Sequence, residues 1–257
     1  MTDASPRNTI VTGDCIQTMQ GWRDESIDLV FADPPYNIGY QYDHYEDDRS
    51  DDEYIQWTCD WIDQCTRLLK PSGSLYVLIG DEYAAETRLH LKKLQREGRL
   101  LVRNWIIWHY TFGQRCKVKY NRSHAHLFYA VGSAALKKKK PRGRSEPIFV
   151  ENVNVKDPPF TFNYDAVAIP SARMTTYNDK RTNQRGKLPD DTWYLKAFPG
   201  ARDWHLRPQE ALDDPESDHF DSEGDTWYQS RLCGTFKERE QWHPCQLPEA
   251  LLERIVR

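Results

Sequence analysis

Apolar positions in the first half of the chain follow two alternating periods. Ile27 to Ala32 is an apolar run broken by a single acid and reads as a buried strand. Ser50-Asp51-Asp52-Glu53 carries Ser three residues ahead of Glu, the signature of a capping box. Beyond it Tyr54, Trp57, Trp61, Cys65 and Leu68 recur at helical spacing, so a helix is expected to about Leu69. Lys70-Pro71-Ser72-Gly73 should stop that helix, and Ser74 to Ile79 reads as a second buried strand ending at Gly80-Asp81. Glu82 to Leu94 has a helical pattern; Leu101 to Trp108 and Ala125 to Val131 read as strands. Ahead of all these, Asn8 to Val11 suggests a short strand and Cys15 to Trp22 a helix. Strands this apolar, separated by helices, predict an α/β fold with a mostly parallel sheet covered on both faces. Asp14, Asp33 and Asp81 each fall just past an expected strand end, the rim where such sheets bind ligands. Taken singly, each has a more ordinary use as a helix N-cap.

The texture changes after Ala134. Residues 137–232 have few periodic segments and many Lys, Arg, Pro, Asp and aromatic residues, which reads as an inserted, loop-rich region. The division expected is a catalytic core over 1–136, a target-recognition insertion over 137–232, and a return segment over 233–257 with an amphipathic helix from Pro248 to Val256. The 257 residues are 39% hydrophobic and 12% aromatic, with nine Trp, a balance that favours a folded chain with binding surfaces over disorder. No run of about 18 apolar residues and no charged-then-apolar start occurs, so neither a membrane span nor a signal peptide is expected. The six cysteines are scattered without a CxxC pair, as free thiols in a reducing cytoplasm would be.

The net charge of −4 hides an asymmetry. Acids cluster between Asp43 and Asp63, whereas Arg103 to Arg144 contains no acid at all. That stretch holds Arg115, Lys117, Lys119 and Arg122 interleaved with Trp105, Trp108, Tyr110, Phe112 and Tyr120, the make-up of a polyanion-binding groove. A solvated charged face is the ordinary alternative, and the length of the acid-free span weighs against it. His124 and His126 share a strand face, but two ligands without a nearby carboxylate or thiolate do not make a metal site, and none is expected.

The strand Ile27 to Ala32 runs straight into Asp33-Pro34-Pro35-Tyr36. Two prolines remove two backbone donors and fix two φ angles, so the strand must end there. What remains is a carboxylate and carbonyls without competing donors, beside an aromatic face. Asp33 and the Pro34 carbonyl can together hold a planar NH2 group while Tyr36 faces a flat ring. Base amines are weak nucleophiles, and orientation plus acceptors for the developing positive charge supply what they lack.

FADPPYNIG, with GDC upstream and SGSLYVLIGDEY downstream, resembles the S-adenosylmethionine-dependent DNA amino-methyltransferases. HPCQLPEALLERI at the carboxyl end is similar to the corresponding segment of their beta class, in which the order of motifs is permuted. The resemblance covers residues 8–134 and 233–257. It implies a Rossmann-like methyltransferase sheet in permuted order, with S-adenosylmethionine as cofactor and double-stranded DNA as substrate. It further implies that Asp33, Pro34, Pro35 and Tyr36 are catalytic, holding and stacking a base rotated out of the duplex. Asp14, Asp33, His243 and Gln246 would line the cofactor, and Arg115, Lys117, Lys119 and Arg122 the DNA. No metal and no covalent intermediate are implied. DPPY favours adenine-N6 over cytosine-N4, whose enzymes more often begin the motif with Ser. A homodimer and a paired restriction endonuclease are further partners of that class. Asp157-Pro158-Pro159-Phe160 nearly repeats the motif, but the polar, alternating VENVNVK before it marks an ordinary turn.

Two departures stand out. Leu247 replaces the family's usual Lys in HPxQKP, and no F-x-G-x-G cofactor loop occurs within residues 1–257. The expectation drawn from the second is a C-terminally truncated member that binds the cofactor weakly. A catalytically silent DNA-binding remnant is therefore the alternative to an active enzyme. Methylation of RNA or of a protein glutamine uses the same amine-gripping motif, but explains neither the permuted order nor the large insertion.

Overall fold

The structure is a computed structural model that describes residues 8–42, 45–109, 117–120, 122–143, 148–169, 179–183, 185–188, 192–194, 227–228, 240 and 245–257. The chain divides into two compact units, one of residues 1–105 with 126–162, the other of 106–125 with 163–257. Residues 137–162 thus pack with the first unit.

In the first unit, β1 (Ile27–Ala32) matches the expected strand. Helix α2 (Asp51–Leu68) starts at the capping box of Ser50 and Glu53, with three acids in its first turn opposing the positive end of the helix dipole. Its buried face includes Tyr54, Trp61, Ile62, Cys65 and Leu68, at the spacing the sequence predicts. Tyr54, Trp61, Ile62 and Cys65 pack with Leu75, Val77, Ile79 and Leu91 into one apolar core. Helix α1 (Cys15–Gln20) is capped by Asp14, whose side chain accepts from Gln17 N at 2.8 Å. Helix α3 (Ala84–Arg96) follows a 3-10 turn at Asp81–Tyr83.

Two expectations are corrected and a third is refined. Residues 8–11 form no strand, and Ile10 is 95% exposed; among the described residues no partner backbone satisfies its N–H and C=O groups there. Strand β2 (Leu69–Ile79) begins before the Lys-Pro-Ser-Gly stop signal instead of after it. Ile27 pairs with Leu69 and Leu29 with Ser74, so Lys70 to Gly73 bulge opposite Asp28 and the proline sits at an irregularity, where its missing donor is tolerated. The sheet is mixed: β1 pairs with β2 in parallel, but β2 pairs with β4 (His124–Gly132) antiparallel, from Ser74–Val131 to Ile79–His126. Strand β4 lies between β2 and β3 (Leu100–His109) in the order β1-β2-β4-β3. Both of its faces are buried, so its apolar run cannot reveal its direction. The Tyr76 and Tyr129 rings stack across the β2–β4 pair with centroids 4.6 Å apart, fixing the register.

The bulge brings backbones close. A Cβ on Gly132 would stand 2.4 Å from the Lys70 carbonyl oxygen and 2.5 Å from that of Pro71. Gly132→Ala must therefore push the backbones apart, and a loss of about 3 kcal/mol in unfolding free energy is expected. Chemical denaturation measures it, and wild-type stability would contradict the close approach.

Strands β5 (Leu136–Lys139) and β6 (Ile148–Glu151) form a separate antiparallel pair. In the second unit the end of β3 pairs in parallel with β7 (Thr192–Tyr194), and β7 with β8 (Trp227–Tyr228). Pro248 caps α4 (Glu249–Val256), which buries Leu251 and Ile255, as an amphipathic helix must. Arg254 on the same helix donates to the Val167 carbonyl at 3.1 Å. The near-repeat Asp157 to Phe160 is no strand end: Asp157 N donates to Asn154 O at 3.2 Å, closing a turn, and Pro159 and Phe160 lie in a bend. Among the described residues Cys15, Cys59, Cys65 and Cys245 are free thiols, and no helix is long and apolar enough to cross a membrane.

Candidate active site at the double-proline corner

Ala32 pairs with Val77 in the parallel β1–β2 register, so Asp33 to Tyr36 leave the sheet beside Ile79 to Asp81. Both strands present their carboxyl ends here, the edge at which open α/β sheets take ligands. The Tyr36 ring lies against Gly80, where an added Cβ would meet Cδ2 at 3.5 Å. Its hydroxyl turns back and donates to Asp33 Oδ1 at 2.9 Å. Asp33 keeps one side open to water, yet protein surrounds the rest of the carboxyl. Desolvation pushes its pKa from 3.8 up to about 6, and the Tyr36 hydroxyl, which favours the ionised form, holds back part of the rise.

The corner is braced from behind. Tyr54, on α2, donates its hydroxyl to the Pro35 carbonyl at 2.5 Å. Burial raises the Tyr54 phenol well above its usual range, so it remains a donor at physiological pH. Asn37 sits in the left-handed region at φ 55°, and its amide nitrogen donates to the Arg49 carbonyl at 2.8 Å and to the Tyr83 hydroxyl at 2.9 Å. Tyr83 in turn donates to Asp51 Oδ1 at 2.8 Å. Asp47 is 3% exposed and accepts backbone N–H groups from Asn37, Ile38 and Tyr40 at 2.8, 3.0 and 3.1 Å. Nothing local in the sequence marks Tyr54 or Tyr83 as a brace of this corner, or Asp47 as its acceptor. Only the demand for an acceptor lies in NIGY, because a turn built on Asn and Gly leaves several donors in need of one.

The remaining candidates are less concentrated. Asp33 and Asp81 follow adjacent parallel strands, whereas Asp14 follows no strand and serves as the α1 cap. Pro34 and Pro35 are half-buried at the corner. Gln246 belongs to the second unit, where its side-chain oxygen accepts from Glu240 N at 2.7 Å. His243 and Arg115 lie outside the described residues. Lys117 and Lys119 are exposed and Arg122 is half-buried, all in the second unit. His126 is buried and its Nδ1 accepts from Trp105 Nε1 at 2.8 Å, a structural use for one histidine of the pair. Among the described residues no group of three His, Cys, Asp or Glu stands ready for a metal.

The Asp33 environment is directly measurable. Carboxyl-carbon NMR should show a titration midpoint near 6, and Tyr36→Phe should raise it further, because removing the hydroxyl removes a bond to the ionised form. The folded state then binds a proton more tightly than the unfolded one, so this residue's contribution to stability falls as pH rises from about 4 to about 6. A midpoint near 4, or a fall in Tyr36→Phe, would contradict the geometry.

A family model described as a DNA methylase matches residues 27–257. The type II methyltransferase M.HpaI of Haemophilus parainfluenzae is 26% identical over 250 residues, 96% of this chain and 58% of that protein. The DNA adenine methyltransferase YhdJ of Escherichia coli is 28% identical over 249 residues, 96% of this chain and 66% of that protein. The chain thus spans about six-tenths of the length of these relatives. Among solved structures, M1.HpyAVI in complex with S-adenosylmethionine aligns over 52% of this chain and 61% of its own, with a TM-score of 0.34 and 15% identity.

Proposed function

Because the chain belongs to the N6/N4 DNA methylase family, we propose that it serves the transfer of a methyl group to the exocyclic amine of an adenine rotated out of double-stranded DNA. The observation that carries the reading is the corner itself. A carboxylate of raised pKa and two prolines stand at the carboxyl end of β1, with an aromatic ring bonded to that carboxylate. Asp33 is the acceptor for one amine hydrogen. Tyr54 already donates to the Pro35 carbonyl, and the Pro34 carbonyl is the second acceptor proposed. Tyr36 gives the stacking face. An incoming amine replaces the Tyr36 hydroxyl as the donor to Asp33, freeing the phenol ring to settle over the base. With a pKa near 6, Asp33 is ionised at neutral pH, yet basic enough to relieve the amine nitrogen of a proton.

S-adenosylmethionine, when bound, supplies an electrophilic methyl on sulfur. The described residues fit such a group: its adenine amine, ribose hydroxyls and ammonium are donors, and this rim offers carboxylates. Asp14 spends one oxygen on Gln17 N, but a carboxylate has about four lone-pair sites, so the cap does not exhaust it. Asp14, Asp33, His243 and Gln246 are the residues proposed to hold the group. Lys117, Lys119, Arg122 and Arg115 are proposed for DNA phosphates. A restriction endonuclease reading the same site is a further partner of the proposal, as is a second copy of the chain.

The test is incubation with plasmid DNA and labelled S-adenosylmethionine, followed by mass spectrometry of the nucleosides. N6-methyladenine is the expected product. N4-methylcytosine would move the target base and keep the corner. DNA binding without cofactor binding or product would establish the silent DNA-binding reading instead.

A further inference from the structure

We infer that Asp47 is the positioning residue of this active site: its buried carboxylate locks the turn Asn37 to Tyr40 and so sets where Tyr36 and Asp33 stand. The inference deepens the proposed function and rests on it for its catalytic consequence. Four successive backbone donors follow the DPPY corner. Asn37 N reaches Asp47 Oδ1 at 2.8 Å, while Ile38 N and Tyr40 N reach Oδ2 at 3.0 and 3.1 Å. Gly39 N reaches the Asp47 carbonyl oxygen at 2.9 Å. One residue therefore answers every N–H of the turn.

The geometry is that of an anion nest. Asn37 at φ 55° and Gly39 at φ 73° turn consecutive N–H groups inward, a concavity that elsewhere takes phosphates or other anions. Here a carboxylate from the chain itself fills it. Bonds from N–H to an ionised acceptor are the stronger kind, and a carboxylate satisfies several donors at once from a small head group. The Gln41–Glu46 bridge closes the loop that returns the chain to Asp47. On the other side Asn37 is tied through its side chain to Arg49 and Tyr83, so the turn is anchored at both ends. Tyr36 is the residue immediately before the clasped amides, and its hydroxyl is on Asp33. A turn free to rotate at Asn37 would carry Tyr36 off the carboxylate.

The comparison of Asp47→Asn with wild type tests this. Asparagine keeps the size and one acceptor, but turns an NH2 toward a backbone N–H. The expected result is a fall in kcat of about 10²-fold, the loss that follows from roughly 1 Å of misplacement, with KM for DNA within threefold. Amides 37–40 should exchange at least tenfold faster by hydrogen-exchange mass spectrometry, and the Asp33 titration midpoint should rise as the Tyr36 bond is broken. An ester replacing the Ile38 amide is the second variant: it deletes one donor, leaves the carboxylate in place, and should give smaller changes in the same directions. Wild-type protection of amides 37–40 in Asp47→Asn would overturn the inference, as would kcat within twofold of wild type. Global unfolding of Asp47→Asn, with the ester unchanged from wild type, would also overturn it, because Asp47 would then hold the domain and not the turn. If the unaltered protein transfers no methyl group, the proposed function fails; the exchange and titration measurements still decide the role of Asp47.

Discussion

Asp33→Ala is expected to reduce methyl transfer to DNA by about 10²- to 10³-fold while changing DNA affinity less than about twofold. The reason lies in what an amine nitrogen needs. Its lone pair is delocalised into the base, and attack localises it and leaves positive charge on nitrogen. A fixed carboxylate is worth most at that moment, because its charge opposes the one that develops and needs no reorganisation. Binding energy to the duplex comes from phosphate contacts elsewhere, so it survives the truncation. Asp33→Asn separates two contributions: the amide keeps an acceptor but lacks the charge, and its activity should fall between wild type and Ala. In wild type the rate should drop as pH falls through about 6, because the protonated carboxyl presents a donor to the amine. Single-turnover assays with labelled cofactor read all three, and full activity in Asp33→Ala would remove the assignment.

Neutralising Lys117, Lys119 and Arg122 to Gln should weaken binding to every DNA sequence alike. Removing one cation from its phosphate lowers the slope of log affinity against log salt by roughly 0.9, which near 0.1 M corresponds to about an eightfold drop in affinity. The two exposed lysines should each approach that value, a combined drop of about 60-fold. Arg122 is half-buried and has other interactions in the protein, so its share should be smaller. Anisotropy titrations of a labelled duplex over a salt series give the slope. An unchanged slope would place the DNA on another surface.

Much of the fold was legible because its signals are local. The apolar run Ile27 to Ala32 and the Ser50–Glu53 box each state their structure within a few residues, and α2 runs where its caps place it. The DPPY corner was legible for the same reason, since two prolines dictate the backbone whatever lies around them. Other features depend on partners far along the chain. Lys70 to Gly73 extend β2 only because Ser74 onward is held by β1 across a bulge, an arrangement no short window contains. The antiparallel course of β4 lies in its pairing with β2, and a strand buried on both faces reads alike in either direction. Asp14 looked like a rim ligand from its order in the chain, and its local bond to Gln17 makes it a cap as well. Asp47 was hidden among acids; only the fold turns one of them inward.

The position of β4 also bears on how the chain is made. Strands β1 and β2 with α2 between them form a unit that can assemble as soon as Ile79 has been synthesised. The edge of β2 stays unpaired until β4, 45 residues later by the numbering from Ile79 to His124, has been added. At about 5–20 residues per second that interval is roughly 2–9 s on the ribosome. During it the unpaired backbone groups along that edge of β2 face outward as a template for another chain. Slow translation between codons 80 and 124 would lengthen that exposure, so the same amino-acid sequence read from rarer codons would yield more aggregate and less folded protein.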